Sequence, residues 1–247
     1  MPAARTQQGG AWQRVRLATA VMLSMVAAYF GSMILAGWLV PPASSLPWLS
    51  GTAYAVVAGA VFYGLLAAVL LLLARQVFQA GREHVGVVRV RRWRYAVFLP
   101  GILLLYYLFS FLVSAGLLLL VPSAEGSGQD IGFHPQGTAD LALTFFLLVV
   151  MAPLAEEFVF RGYFFGLLRR AVSFRTAAII VSLLFGLVHV QDFGNIAWTL
   201  VIDTAALSLA ACWLRERSGH IWFGVLLHSL KNLVAFVLLF IVNISAG

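Results

Sequence analysis

Seven apolar runs, each about the 17–25 residues that a helix needs to cross a bilayer, leave this chain few folds to choose from. They cover residues 17–40, 52–74, 96–121, 142–168, 175–190, 196–214 and 220–244, the fifth being the shortest. Between them the chain is 62% hydrophobic and 10% charged, with a mean hydropathy of +0.96. A soluble domain carries about 25% charged residues. The expected fold is therefore all-α, a polytopic membrane bundle of about seven transmembrane helices. Pro41-Pro42 and Pro122 close the first and third runs, because proline does not continue a helix easily. The first run follows Arg14 and Arg16 as a signal sequence would, but it is too long for a signal core and reads as an uncleaved anchor. The length suits one helical domain without a second, soluble one.

The charges set an expected orientation. Net charge is +7, and nearly all of it sits in four segments. These are the tail with Arg5, Arg14 and Arg16, the 75–95 loop with six arginines, the 169–175 turn with three, and the 215–219 turn with Arg215 and Arg217. All four fall on one side of the expected topology. The opposite loops hold only the acids Glu125, Asp130, Asp140 and Asp192. The positive-inside rule then predicts a cytoplasmic N-terminus, and the Arg-rich loop is placed to meet anionic headgroups. No basic stripe interleaved with stacking aromatics is present, so nucleic acid is not an expected partner. Trp12, Trp38, Trp48, Trp93, Tyr95 and Trp222 lie near span ends, as interfacial anchors do. Cys212 is the one cysteine, which excludes an intrachain disulfide and a thiolate metal cluster.

Few ionisable residues fall inside the spans: Glu156, Glu157, Arg161, His189, Asp203, His228 and Lys231, joined by the amide of Asn232. In hydrocarbon such groups are expensive, and they face the bundle interior and pair. Glu157 and Arg161 are four apart with the acid first, so they share a helix face and neutralise each other. Glu156 lies about 100° around the helix and has no cation at a favourable spacing, which marks it as the candidate for chemistry. Phe185 and His189 are four apart, as are His228 and Asn232. At 1.5 Å per residue from the basic turns, Glu156, His189 and Asn232 each lie about 21 Å deep and His228 about 15 Å. Three helices thus carry an acid, two imidazoles and an amide to a similar level. A carboxylate and an imidazole sharing a water can activate it, and an imidazole and an amide can hold the oxyanion that forms on a peptide carbonyl. Asp203 is expected to be a structural partner for Lys231 or Arg161. His84, His134 and His220, at span edges or in loops, read as solvated.

Three motifs carry a resemblance. Glu156-Glu157-Phe158-Val159-Phe160-Arg161 fits Glu-Glu-x-x-x-Arg, Phe185 to His189 fits Phe-x-x-x-His, and His228 to Asn232 fits His-x-x-x-Asn, in that order. Over about residues 140–240 the chain resembles the CAAX protease and bacteriocin-processing family, also called the abortive-infection family, of intramembrane glutamate endopeptidases. The resemblance implies that Glu156 and His189 activate water, that His228 and Asn232 form the oxyanion hole, and that Glu157, Arg161 and Phe185 support the site. It implies no cofactor, a membrane-anchored peptide or protein as substrate, and residence in a bacterial plasma membrane. Lys231 departs from the family pattern, where that position is often neutral. On this reading residues 1–137 hold a tail and three spans with no usable motif, and 138–247 form a four-helix catalytic portion.

Two other readings share these residues. Glu156, His189 and His228 would also make a two-His, one-carboxylate zinc site with an open position for water. Without chemistry, the same polar cluster would serve a proton-coupled carrier or a membrane scaffold. A carrier is disfavoured by the lack of an inverted repeat, and Pro153 has no counterpart elsewhere.

Overall fold

The structure is a computed structural model, which describes residues 10–90, 93–120, 135–190 and 198–242. Arg5, Arg91, Arg92, Pro122, Glu125, Asp130, His134 and Asp192 lie outside the described residues. Within them the chain is helical: α1 (Ala11–Leu39), α2 (Gly51–Val77), α3 (Leu99–Leu120, led in by a 3₁₀ turn at Trp93–Phe98), α4 (Thr138–Leu168), α5 (Phe174–Leu187), α6 (Trp198–Ser218) and α7 (Trp222–Val242). Six of these are long and apolar enough to cross a membrane, and the chain is an integral membrane protein. The expected count of seven is corrected at α5, which has only 14 residues. At 1.5 Å each that is about 21 Å, short of the roughly 30 Å hydrocarbon core.

Local chemistry sets the helix ends. Val40 stops α1 in extended backbone (φ −98°, ψ 114°), the conformation that a following proline favours. The Ser50 hydroxyl accepts from the Ala53 amide and so caps α2. The same oxygen donates to Asp140 at 2.5 Å and ties the α1–α2 turn to the start of α4. Ser173 caps α5 by accepting from the Thr176 amide. The α6–α7 turn runs through Gly219 at φ +86°, a left-handed position that glycine adopts without strain.

Helix α4 sits centrally. It packs on α2 and α7 along much of its length, while α1 and α2 pair on one flank and α3 lies against α6 and α7 on the other. Helices α5 and α6 pack closely as an antiparallel pair. Gly186 allows that approach, since a Cβ there would fall 2.6 Å from the Val201 carbonyl oxygen. One apolar core runs from Val21 on α1 and Leu66 and Leu70 on α2 through Tyr163 to Leu168 on α4 and into α5. The outer faces of α1, α2 and α3 expose large apolar side chains, as lipid-facing surfaces do. Trp12, Trp38, Trp48 and Trp93 are all exposed.

At one end of the bundle the 78–90 segment is strapped to the helices. Arg215 donates to the carbonyls of Glu83 (3.3 Å) and His84 (2.8 Å), and Trp222 Nε1 donates to that of Val88 (2.8 Å). Arg170 donates to the Phe78 carbonyl, and Arg169 makes a two-pronged pair with Glu216. Arg215, read from sequence as a loop residue, is thus a buried residue in the last turn of α6. His220 likewise is not solvated; it is 1% exposed, with its ring 4.6 Å from that of Phe223.

Candidate active site

Glu157 and Arg161 form the buried floor. Both side chains are fully enclosed, with Arg161 Nη1 2.8 Å from Glu157 Oε1. The contact is an ion pair by distance, its angle departing from hydrogen-bond geometry. Arg161 Cζ also lies 4.3 Å from the ring centroid of Phe185, a cation–π contact. Glu157 reaches across to α7, where His228 Nδ1 is 3.4 Å from its Oε1. Its other oxygen lies against Gly224, at a distance that leaves no room for a Cβ. Phe185 joins the parts: its ring meets those of Phe160 (4.9 Å), His189 (4.7 Å) and His228 (5.8 Å).

Glu156 points elsewhere, as its 100° offset requires. The Tyr63 hydroxyl on α2 donates to its Oε1 at 3.3 Å. Its Oε2 faces His189 Nε2 at 3.9 Å, beyond direct hydrogen-bonding distance. His189 lies just past the last turn of α5, where its backbone amide still bonds to the Gly186 carbonyl. Its Nδ1 is 2.6 Å from the Phe185 carbonyl oxygen. A carbonyl only accepts, so Nδ1 carries the proton and, in the neutral ring, Nε2 presents a lone pair toward Glu156.

Asn232 is held by a defect in α4. In the π-helical stretch Phe146–Met151 the Ala152 amide bonds to Leu147, five residues back. The next amide in that pattern would belong to Pro153, which has none, so the Leu148 carbonyl is left open. Asn232 Nδ2 donates to it at 2.8 Å. One of the two amide protons is thereby spent, and the second remains.

These groups share one cavity of about 260 Å³, lined among others by Glu156, His189, His228, Lys231 and Asn232. The structure thus brings Glu156, His189, His228 and Asn232 to one space, while Glu157, Arg161 and Phe185 stand behind it. Of the two cations expected for Asp203, Lys231 lies within reach of its charge; Asp203 also accepts hydrogen bonds from the hydroxyls of Tyr106 and Ser110 on α3. Among the described residues, no three His, Cys, Asp or Glu side chains are grouped closely enough to hold a metal ion.

Sequence reasoning missed Tyr63, Gly224, and the link between Pro153 and Asn232. Tyr63 lies on a helix with no recognisable motif, and Gly224 looks like any helical glycine. Only Pro153, a proline within an apolar run, carried a visible signal.

Residues 138–234 match the profile of the Rce1-like family, described as type II CAAX prenyl endopeptidase Rce1-like. Over those residues, less than half of its length, the chain is similar to that family. The Rce1-like segment holds all the polar groups of the cavity and leaves α1, α2 and α3 outside. It is similar to the protein named "Putative membrane peptidase YdiL" of Bacillus subtilis (strain 168), 29% identical over 83 residues, which are 34% of this chain and 32% of that one. It is also similar to UPF0177 protein YxdF of Lactococcus lactis subsp. lactis (strain IL1403), 31% identical over 88 residues, 36% of this chain and 45% of that one. The chain thus spans less than half the length of either relative. No solved structure matches it significantly.

Proposed function

We propose that this protein is an intramembrane endopeptidase that hydrolyses a peptide bond of a membrane-associated substrate with water activated by Glu156 and His189. The observation that carries this reading is the facing pair Glu156 Oε2 and His189 Nε2, two acceptors 3.9 Å apart beside a common cavity. Two acceptors at that spacing suit one molecule that donates to both, and water is such a molecule. Its oxygen attacks the scissile carbonyl carbon as one proton passes to Glu156. The oxyanion accepts from the second proton of Asn232 Nδ2 and from His228 Nε2, a donation that requires both ring nitrogens of His228 to carry protons, since its Nδ1 faces the Glu157 carboxylate. The C–N bond then breaks as that proton moves from Glu156 to the leaving amine. Glu157 and Arg161 neutralise each other beneath, so neither competes for the water.

The name of the Bacillus relative and the Rce1-like match support a peptidase of the CAAX-protease type. The reaction as proposed needs no metal; activity that survives a zinc chelator is expected, and loss to chelation with stoichiometric zinc would replace it by a zinc hydrolase. The main test compares membrane peptides from cells carrying wild-type protein and Glu156→Gln. A new terminus found only with wild type is expected, absent also with His189→Ala and His228→Ala. Asn232→Ala is expected to slow its formation on the order of 10²–10³-fold, the loss typical of one oxyanion donor. Unaltered cleavage by Glu156→Gln rejects the mechanism.

A further inference from the structure

The Rce1-like match begins at residue 138, yet one contact to Glu156 comes from α2. Helix α2 approaches α4 closely at Gly59, where a Cβ would sit 3.0 Å from the Met151 methyl. One turn further along the same face, four residues on, stands Tyr63. Its ring packs against Phe62 at 5.2 Å, and Phe62 packs against Tyr29 of α1 at 5.4 Å. The Tyr63 hydroxyl donates to Glu156 Oε1, while Oε2 faces His189.

This matters because of a soft torsion. The terminal χ3 of glutamate is broad and roughly two-fold, so packing of the chain's methylenes does not fix the plane of the carboxylate. The opposing His189 Nε2 lies too far away to fix it either. A donor on one oxygen does so. We infer that Tyr63 is a positioning residue of the proteolytic site: its hydroxyl fixes Glu156 Oε1 and so presents Oε2 to the water and to His189. The inference rests on the proteolytic reading of the cavity. It makes α2, outside the matched family segment, part of the working site. Tyr63 touches Glu156 and not the reacting atoms, so its effect passes through the carboxylate.

Two readouts test it, and one needs no substrate. Dicyclohexylcarbodiimide adds to carboxylic acids in their protonated form and enters membranes. With purified protein in lipid nanodiscs at pH 7.5, fragment spectra separate label on Glu156 from label on Glu157. Tyr63→Phe keeps the ring and removes one oxygen, so the Glu156 carboxylate loses a stabilising donor. Its labelling is expected to become several-fold faster than in wild type. Phe62→Leu disturbs the aromatic stack without touching Glu156 and is expected to label as wild type does. In cells, the wild-type-dependent terminus is expected to form about 10–100-fold more slowly with Tyr63→Phe, the rate equivalent of a hydrogen bond to a charged group. With Phe62→Leu it is expected to form at the wild-type rate. Wild-type labelling and wild-type rate in Tyr63→Phe overturn the positioning role while leaving the protease intact. Equal losses in Phe62→Leu and Tyr63→Phe also overturn it, since they assign the effect to packing. If no terminus depends on the wild-type protein, the proteolytic reading falls, and this inference falls with it whatever the labelling rate.

Discussion

The adjacent acids Glu156 and Glu157 differ because one helical step gives them different neighbours. Glu157 is fully buried against Arg161, His228 and Gly224, whereas Glu156 meets Tyr63, His189 and the cavity. Removing one partner of a buried ion pair costs about 3–5 kcal/mol, because the other charge is left uncompensated. Arg161→Met, of similar bulk, is therefore expected to lower the thermal unfolding midpoint in detergent sharply. Glu157→Gln in the same chain is expected to recover much of the loss, and failure to recover it would mean that the cation–π contact with Phe185 dominates. The Glu157–Arg161 pair was legible in the sequence because an i,i+4 contact is local. Tyr63 was not, since 93 residues separate it from Glu156 and only the packing of α2 on α4 joins them. The hydroxyls of Tyr106 and Ser110, which bond to Asp203 from α3, were hidden for the same reason.

At the scale of elements, hydropathy located the apolar runs but not where each helix stops. The fifth apolar run covers 175–190, yet α5 ends at Leu187 and a tight turn follows, with the amides of His189 and Val190 bonding three residues back. Hydropathy measures how long a segment stays apolar, and an apolar turn counts the same as an apolar helix. The early stop is useful, because it sets His189 at the end of a helix of about 21 Å, inside the bundle. The π-helical stretch Phe146–Met151 of α4 was equally invisible, although Pro153, which leaves the Leu148 carbonyl open, was in plain view. Pro153→Ala returns an amide proton that competes with Asn232 for the Leu148 carbonyl. The expected outcome is an unfolding midpoint at or above wild type together with slower formation of the new terminus. Unchanged cleavage would show that Asn232 keeps its place without the open carbonyl.

Over the whole molecule, three of the four basic segments that sequence assigned to one side gather at one end of the bundle. The 78–90 strap, the turn before α5 and the α6–α7 turn are joined there by Arg169, Arg170, Arg215 and Trp222. The strap connects the first two helices to the Rce1-like segment, so its attachment contributes to the stability of the assembled bundle. His220 lies in this joint, beside the Ile221 amide that bonds to the Gly86 carbonyl. Burial first, and the neighbouring Arg215 second, lower its pKa from 6.5 to about 4. The folded protein thus holds His220 neutral between those values while the unfolded chain takes up the proton. Its contribution is fully present above pH about 6.5 and declines as pH falls toward 4, by up to about 1.4 kcal/mol per pH unit. Between pH 7 and pH 5 the wild-type protein is expected to lose about 2 kcal/mol that His220→Leu does not lose. Unfolding midpoints of both proteins in the same detergent at the two pH values measure the difference. Parallel losses would show that the buried neutral imidazole of His220 is not the source of the acid sensitivity.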